Sequence, residues 1–148
     1  MKPYIASILG LLTLAANALA ADDDAPPPRG MWVYKNHCAV CHQPTGSGTP
    51  GVFPPLKDSD YVKAAPNRAI LTVLEGLTGE ITVNGMHYTQ AMPPVIINNK
   101  QVADVAWYVF NELNGMNETV SAERVAKLRA KTKHPTFGEL VASIHAKP

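Results

Sequence analysis

Helical spacing, helix punctuation and the loops between predict an all-α protein. Apolar residues step by three and four along 66–76 and 98–115, and Gly30, Tyr34 and Cys38 repeat at steps of four. Asn98 with Gln101, and Thr136 with Glu139, are spaced as capping boxes, and Gly76 and Gly115 stand where helices stop. The connecting stretches are rich in Gly and Pro, with no alternation of strand and helix patterns to suggest a parallel sheet.

Each element follows from its residues. Pro28 has the fixed φ of a first helical position, so a helix can begin there and run through Gly30, Tyr34 and Cys38. Residues 43–56, dense in Gly, Pro, Ser and Thr, form a loop. A second helix starts at Pro66, carries Ile70, Leu71, Val73 and Leu74 on its apolar face, and stops at Gly76. Residues 78–94 hold Gly79, Gly85, Pro93 and Pro94 and read as irregular or briefly extended chain. The third helix is capped by Asn98, places Val102, Val105, Ala106, Val109 and Leu113 at helical spacing, and ends at Asn114-Gly115.

Residues 116–148 read as a helical C-terminal extension to a body of residues 28–115. Ser121 caps a helix through Val125 and Leu128, and the Thr136 capping box precedes Leu140, Val141 and Ile144. Since this stretch lies beyond the last strong helix, a chain cut after Asn117 is expected to keep a folded body. The opposing expectation is that Leu128, Leu140, Val141 and Ile144 cover part of it.

The first 20 residues have the order of a secretory signal peptide: Lys2, an apolar run from Ile5 to Ala16, then Ala18-Leu19-Ala20. Cleavage is expected after Ala20, with export to the periplasm. The run is shorter than the roughly 20 apolar residues needed to span a bilayer, so no membrane span is expected in the mature chain. Residues 21–27, acidic and then proline-rich, form an extended linker. The mature chain then carries 12 basic and 12 acidic residues, a balance that gives no reason to expect nucleic acid as a partner.

At 148 residues the chain has room for one core, and only 7% of its residues are aromatic. So thin a core would be completed by a buried flat cofactor. Cys38-Ala39-Val40-Cys41-His42 supplies the means of holding one, because Cys-x-x-Cys-His is the attachment signature of c-type haem. Two thiols one helical turn apart can each add to a vinyl group on one porphyrin edge, and His42 then lies under the iron as its proximal ligand. A disulfide across so short a loop would stabilise little. A thioredoxin-like pair lacks its surrounding βαβ pattern, and a zinc site lacks four clustered ligands.

The sixth ligand is sought among the thioethers and imidazoles that follow. Met92 lies 50 residues after His42, in a loop stiffened by Pro93 and Pro94 just ahead of the third helix. Met86 and His87 are its rivals.

With these residues in place the chain resembles the class I cytochromes c. Gly30 and Tyr34 match the helix that leads into the attachment motif, Pro54-Pro55-Leu56 matches the family's Pro-x-Leu segment, and Met92-Pro93 matches its Met-Pro loop. The run from Gly79 to Tyr88 before Met92 is similar to bacterial single-haem domains that serve periplasmic dehydrogenases and nitrite reductases. The likeness covers residues 28–115. It implies a few helices wrapped around one covalent haem c, with the Pro54 carbonyl accepting a hydrogen bond from the free ring nitrogen of His42 and Leu56 pressing on the haem. Tyr88 would hydrogen-bond a propionate or serve as a core tyrosine, and Trp107 and Tyr108 would pack, one of them against the Gly30 and Tyr34 face. The chain departs from those domains at Asn111 to Asn114, where they often end in Trp-Gly-Asn, and in its tail.

The reading is an electron carrier and not an enzyme: a periplasmic protein that cycles one haem iron between two oxidation states as the carrier or cytochrome subunit of a periplasmic oxidoreductase. Its partner would be a redox protein or a dehydrogenase or reductase subunit. Residues 36–56 and 81–99 contain no Asp, Glu, Lys or Arg, so that partner is expected at an uncharged haem-edge face. The alternatives are a haem enzyme or gas sensor with an open sixth position, and a periplasmic thiol oxidoreductase using Cys38 and Cys41. A visible spectrum separates these. The exported protein should show a reduced c-type α-band that acidified organic solvent cannot extract, and Cys38→Ala or Cys41→Ala should weaken or abolish attachment; a colourless protein with two free thiols would overturn the reading.

Overall fold

The computed structural model describes residues 28–132. Its elements are α1 (Met31–His37), α2 (Ala39–His42), α3 (Asp60–Ala64), α4 (Pro66–Glu75), a hairpin of β1 (Ile81–Val83) and β2 (Met86–Tyr88), α5 (Asn99–Trp107) and α6 (Ala122–Arg129). The fold is mostly helical, as expected. The signal peptide, the 21–27 linker and the helix expected after Thr136 lie outside the described residues.

The first helix begins later than Pro28 because Gly30, its N-cap, takes the left-handed conformation at φ 82°. It does not stop cleanly at Cys38. The Cys38 amide still bonds the Tyr34 carbonyl at 2.9 Å and the Cys38 carbonyl accepts from the His42 amide at 2.9 Å, so α1 and α2 form one kinked rod. Short α3 was not expected; Ser59 caps it by accepting from the Val62 amide. In α4, Pro66 sits in the first turn and Gly76, at φ 76°, ends the helix.

Within residues 78–94 the extended chain closes into a hairpin. Asn84 and Gly85 have φ of 50° and 77°, and both left-handed residues turn the chain so that Ile81 faces Tyr88 and Val83 faces Met86. For α5 the capping box is complete, with Asn98 accepting from the Gln101 amide and Gln101 from the Asn98 amide. Its continuation is a π-helical segment, Tyr108–Glu112, in which the Leu113 amide reaches back five residues to Tyr108 at 3.2 Å. The wider turn buries Tyr108, Val109 and Phe110 in succession, which an α-helix of one-sided burial would not do.

The core gathers Tyr34 of α1, Ile70 and Leu74 of α4, Val102 and Val105 of α5, and Phe110. Tyr108 packs on Tyr34 with ring centroids 5.3 Å apart, which is the aromatic contact expected of the last helix. Val120, Val125 and Leu128 belong to the same core. Polar contacts hold α6 there: Arg124 donates to Asn67 on α4 at 3.0 Å and to Glu118 at 2.9 Å, and buried Arg129 donates to the Ile97 carbonyl at 2.8 Å. A cut after Asn117 would remove Val120, Val125 and Leu128 from this core, which favours the opposing expectation that the extension covers part of the body. Burying one Val or Leu side chain stabilises by about 1.5 to 3 kcal/mol, so losing these three by truncation after Asn117 should cost at most about 4.5 to 9 kcal/mol, and Val125→Ala about 1 to 3 kcal/mol. Denaturant unfolding of the haem-loaded protein measures both, and an unchanged midpoint in the truncated chain would count against the packing described.

Candidate functional site

Inside this frame the core is not filled. Two mainly apolar cavities of about 80 and 90 Å³ share His42, Leu56, Tyr61, Val62, Thr72 and Met92 in their walls, so they are the two halves of one slot. Cys38 lines the first half and Cys41 the second. Val105, Ala106 and Val109 close the first from the α5 side, and Ile81, Val83 and Tyr88 of the hairpin close the second.

The attachment residues are placed by the kink between α1 and α2. Cys38 sits at the kink, Cys41 follows one turn later, and Tyr34 fixes the end of the turn by donating its hydroxyl to the Gln43 carbonyl at 2.7 Å. Burial, and then the neighbouring Cys41, push the Cys38 thiol up to about 11. A buried thiol kept protonated at neutral pH is a poor nucleophile, which disfavours thiol exchange as its task.

His42 is 7% exposed and its Nδ1 lies 2.8 Å from the Pro54 carbonyl. A carbonyl only accepts, so Nδ1 carries the proton and donates, leaving the Nε2 lone pair uncommitted. Burial lowers the pKa of the ring, partly offset by the Pro54 bond, and so favours the neutral imidazole that can ligate a metal. The loop reaches this position through Gly48. Its φ is 64°, and a Cβ there would run into the carbonyl oxygens of Phe53 and Pro54, so no other residue lets the loop fold back this closely.

The three candidates for a second axial ligand separate. Met92 lines both halves of the slot, and its backbone is pinned to the end of α4 by two 2.9 Å hydrogen bonds exchanged with Leu77. Met86 is 43% exposed and its sulfur accepts from the Gly51 amide at 3.1 Å. His87 is exposed and paired with Glu80 at 2.6 Å. Neither Met86 nor His87 is among the slot-lining residues.

Leu56 lines both halves, while Pro54 and buried Tyr88 line the second; the Tyr88 hydroxyl makes no hydrogen bond among the described residues. Sequence reasoning took Asn114 only as a helix stop. Its side chain donates to the Leu56 carbonyl at 2.7 Å and accepts from the Ser59 amide at 2.9 Å, so it sets both Leu56 and the start of α3 against the slot. Tyr61, Val62 and Thr72 were also missed as lining residues. Among the described residues no three His, Cys, Asp or Glu side chains cluster as a metal site.

An apolar slot with a two-thiol turn and a neutral imidazole at its wall fits a flat, covalently tethered metalloporphyrin: the class defined is a helical protein built around haem c. The family comparison agrees. The profile of the cytochrome c family matches residues 28–111, and the chain belongs to that family as a class I c-type cytochrome with one covalently attached haem c. A cytochrome c-552 of Thermus thermophilus is 34% identical over 140 residues, covering 87% of this chain and 89% of the relative. Another Thermus thermophilus cytochrome c-552 is 37% identical over 117 residues, covering 72% of this chain and 88% of the relative. The fructose dehydrogenase cytochrome subunit of Gluconobacter japonicus is 28% identical over 120 residues, which are 76% of this chain and 24% of that subunit.

The separation of the methionines is testable by spectroscopy. Met92→Ala should keep the haem, lose the weak methionine-to-iron charge-transfer band and bind added imidazole or cyanide more tightly. Met86→Ala should do none of these, and the reverse result would assign the sixth position to Met86.

Proposed function

We propose that this cytochrome is a periplasmic electron carrier, or the cytochrome subunit of a periplasmic oxidoreductase, in which Cys38 and Cys41 tether the haem and His42 and Met92 hold its iron. Haem electron transfer is the family's activity. The observation that carries the finer reading is that His42 and Met92, far apart in sequence, both line both halves of one apolar slot. With the iron held by both side chains there would be no open site for a substrate, which favours a carrier over a catalyst. The haem, when bound, takes up and returns one electron. The chain tunes that exchange in two ways: a thioether ligand favours the reduced iron, and burial penalises the extra charge of the oxidised iron, so both raise the potential. Pro54 would hold the His42 ring in one tautomer and orientation throughout, and Tyr88, which lines the second half of the slot, would donate its hydroxyl to a propionate.

Electrons would pass through an uncharged rim. Val40, between the two cysteines, is 82% exposed, and Val52 and Met86 are exposed beside the Gly51 to Met86 hydrogen bond. No helix among the described residues is long and apolar enough to cross a membrane. Similarity to a fructose dehydrogenase cytochrome subunit supports a dehydrogenase as the class of partner. Docking on such a face rests on apolar contact and shape, while charges outside it steer only weakly at physiological salt, where the Debye length is about 8 Å. The rate of electron exchange with the native partner, followed by stopped flow across a salt series, should therefore change little between low and physiological ionic strength. A fall of about tenfold or more, equivalent to about 1.4 kcal/mol, would show that charge steering dominates and that the docking face is wrong.

A further inference from the structure

The β1–β2 hairpin stands at one side of the slot and is tied down by side chains that are not among the slot-lining residues. Asp60, the first residue of α3, accepts through Oδ1 from the Asn84 amide at 2.8 Å and from the Tyr61 amide at 2.6 Å. Asn84 answers: its Oδ1 accepts from the Asp60 amide at 3.0 Å and its Nδ2 donates to the Asp58 carbonyl at 3.2 Å. This reciprocal set joins the hairpin turn to the start of α3 across 24 residues of sequence. On the hairpin's far strand, the Met86 sulfur takes the Gly51 amide of the attachment loop.

What the tie joins are two walls of the slot. Tyr61 and Val62 of α3 line both halves, and Ile81, Val83 and Tyr88 of the hairpin line the second. Met92 follows Tyr88 by only four residues, a span of chain too short to absorb a large displacement of β2. The bonds across the tie are exposed, so each stabilises weakly against competing water. Three such bonds closing on one turn act together, and they are the only side-chain hydrogen bonds among the described residues that join the hairpin to α3 and the chain entering it.

We propose that Asp60 and Asn84 form a latch that holds the hairpin against α3 and thereby keeps Met92 in the sixth position, so that opening the latch admits outside ligands without loosening haem attachment. Both are positioning residues, and the inference rests on the reading of Met92 as ligand. The ligand exchange it describes is a competition: the Met92 sulfur leaves, an added nitrogen donor enters, and no electron is transferred.

The test uses the full-length, haem-loaded protein in its oxidised form and imidazole as probe. Asp60→Ala removes the acceptor for two amides, and Asn84→Gly removes the side-chain bonds while keeping a residue at ease at φ 50°. Asp60→Asn keeps an acceptor oxygen. Asp60→Ala and Asn84→Gly should each bind imidazole about tenfold more tightly than the parent, with unchanged haem content and a weakened methionine-to-iron band. Asp60→Asn should stay within about twofold, and the Asp60→Ala, Asn84→Gly double variant should exceed neither single by more than about twofold, because both break one unit. Val125→Ala, which loosens the distant α6 contact, serves as the stability control and should leave imidazole affinity unchanged. Parental affinity in a haem-loaded Asn84→Gly protein overturns the latch, and so does equal tightening in Val125→Ala, which would make the effect general loosening. Met92→Ala separates the two levels: if it keeps its charge-transfer band and parental imidazole affinity, the ligand assignment fails first.

Discussion

At Gly30 the backbone entering α1 comes so near the Asp104 carbonyl of α5 that a Cβ could not be placed there without moving one helix. The left-handed φ of that residue and the missing side chain are both required, one to start the helix and the other to let it cross. From this crossing the rest is laid out. It sets Tyr34 against Tyr108, and one turn beyond Tyr34 it delivers Cys38 to the slot. Its partner α5 presents Val105, Ala106 and Val109 to the same space. The neighbouring Arg29 donates to Asp104 at 2.6 Å and to the Val120 carbonyl at 3.1 Å, which brings the chain entering α6 to the same point. Burial alone would raise the Asp104 carboxyl, but hydrogen bonds from Lys100 and Arg29 outweigh it and hold the group ionised below its ordinary range. The crossing is thus steric at its centre and electrostatic at its edge.

The slot that results explains why so little of the chain is regular. Its walls must be apolar to hold a flat porphyrin, yet the loops that form them carry backbone polar groups that need partners. The structure meets this with pairings at the rim: Pro54 with His42, Leu77 with Met92, Asn114 with Leu56 and Ser59. Each pairing places a lining residue as a by-product of satisfying a backbone group. That is why a loop can be as exact here as a helix, and why Gly48 and Gly76, whose Cβ atoms would strike the Pro54 and Met92 carbonyls, matter as much as any apolar side chain.

The sequence made some of this legible and hid the rest for physical reasons. The motif Cys38-Ala39-Val40-Cys41-His42 stood out because its spacing matches the chemistry proposed for it, and α5 could be read because both halves of its capping box are local. The hairpin carried a signal that was passed over: Asn84-Gly85 between Ile-Thr-Val and Met-His-Tyr is the pairing a tight two-residue turn needs. Short α3 offers only Ser59 and no apolar period long enough to count. The π-helical turn could not have been found, since Val105, Val109 and Leu113 fit an α-helix equally well and only packing decides that Phe110 must also turn inward. The place of α6 was hidden because its apolar buried face is two residues wide, Val125 and Leu128, on an otherwise polar helix; tertiary contact with α4 and α5 defines it, not its own pattern.

The two methionines show what the structure adds to a sequence reading that already preferred Met92 for its place before Pro93 and Pro94. They lie six residues apart, each near glycine or proline, and no periodicity ranks them. What ranks them is the cost of holding a flexible thioether in one place, since ordering a methionine side chain forfeits about 1.5 to 2 kcal/mol of rotamer freedom. A backbone that is itself mobile adds to that cost. Met92 hangs from a backbone fixed by both of its hydrogen bonds to Leu77 and followed by Pro93 and Pro94, whose φ angles are already set. Only the side chain remains to be ordered, and the slot walls restrict it further. Met86 stands on a strand of three residues at the protein surface, with its sulfur already accepting the Gly51 amide. To reach the slot it would give up that bond and drag the hairpin turn with it. A weak ligand is best taken from the position whose order the fold has already provided, and that is the argument for proposing Met92.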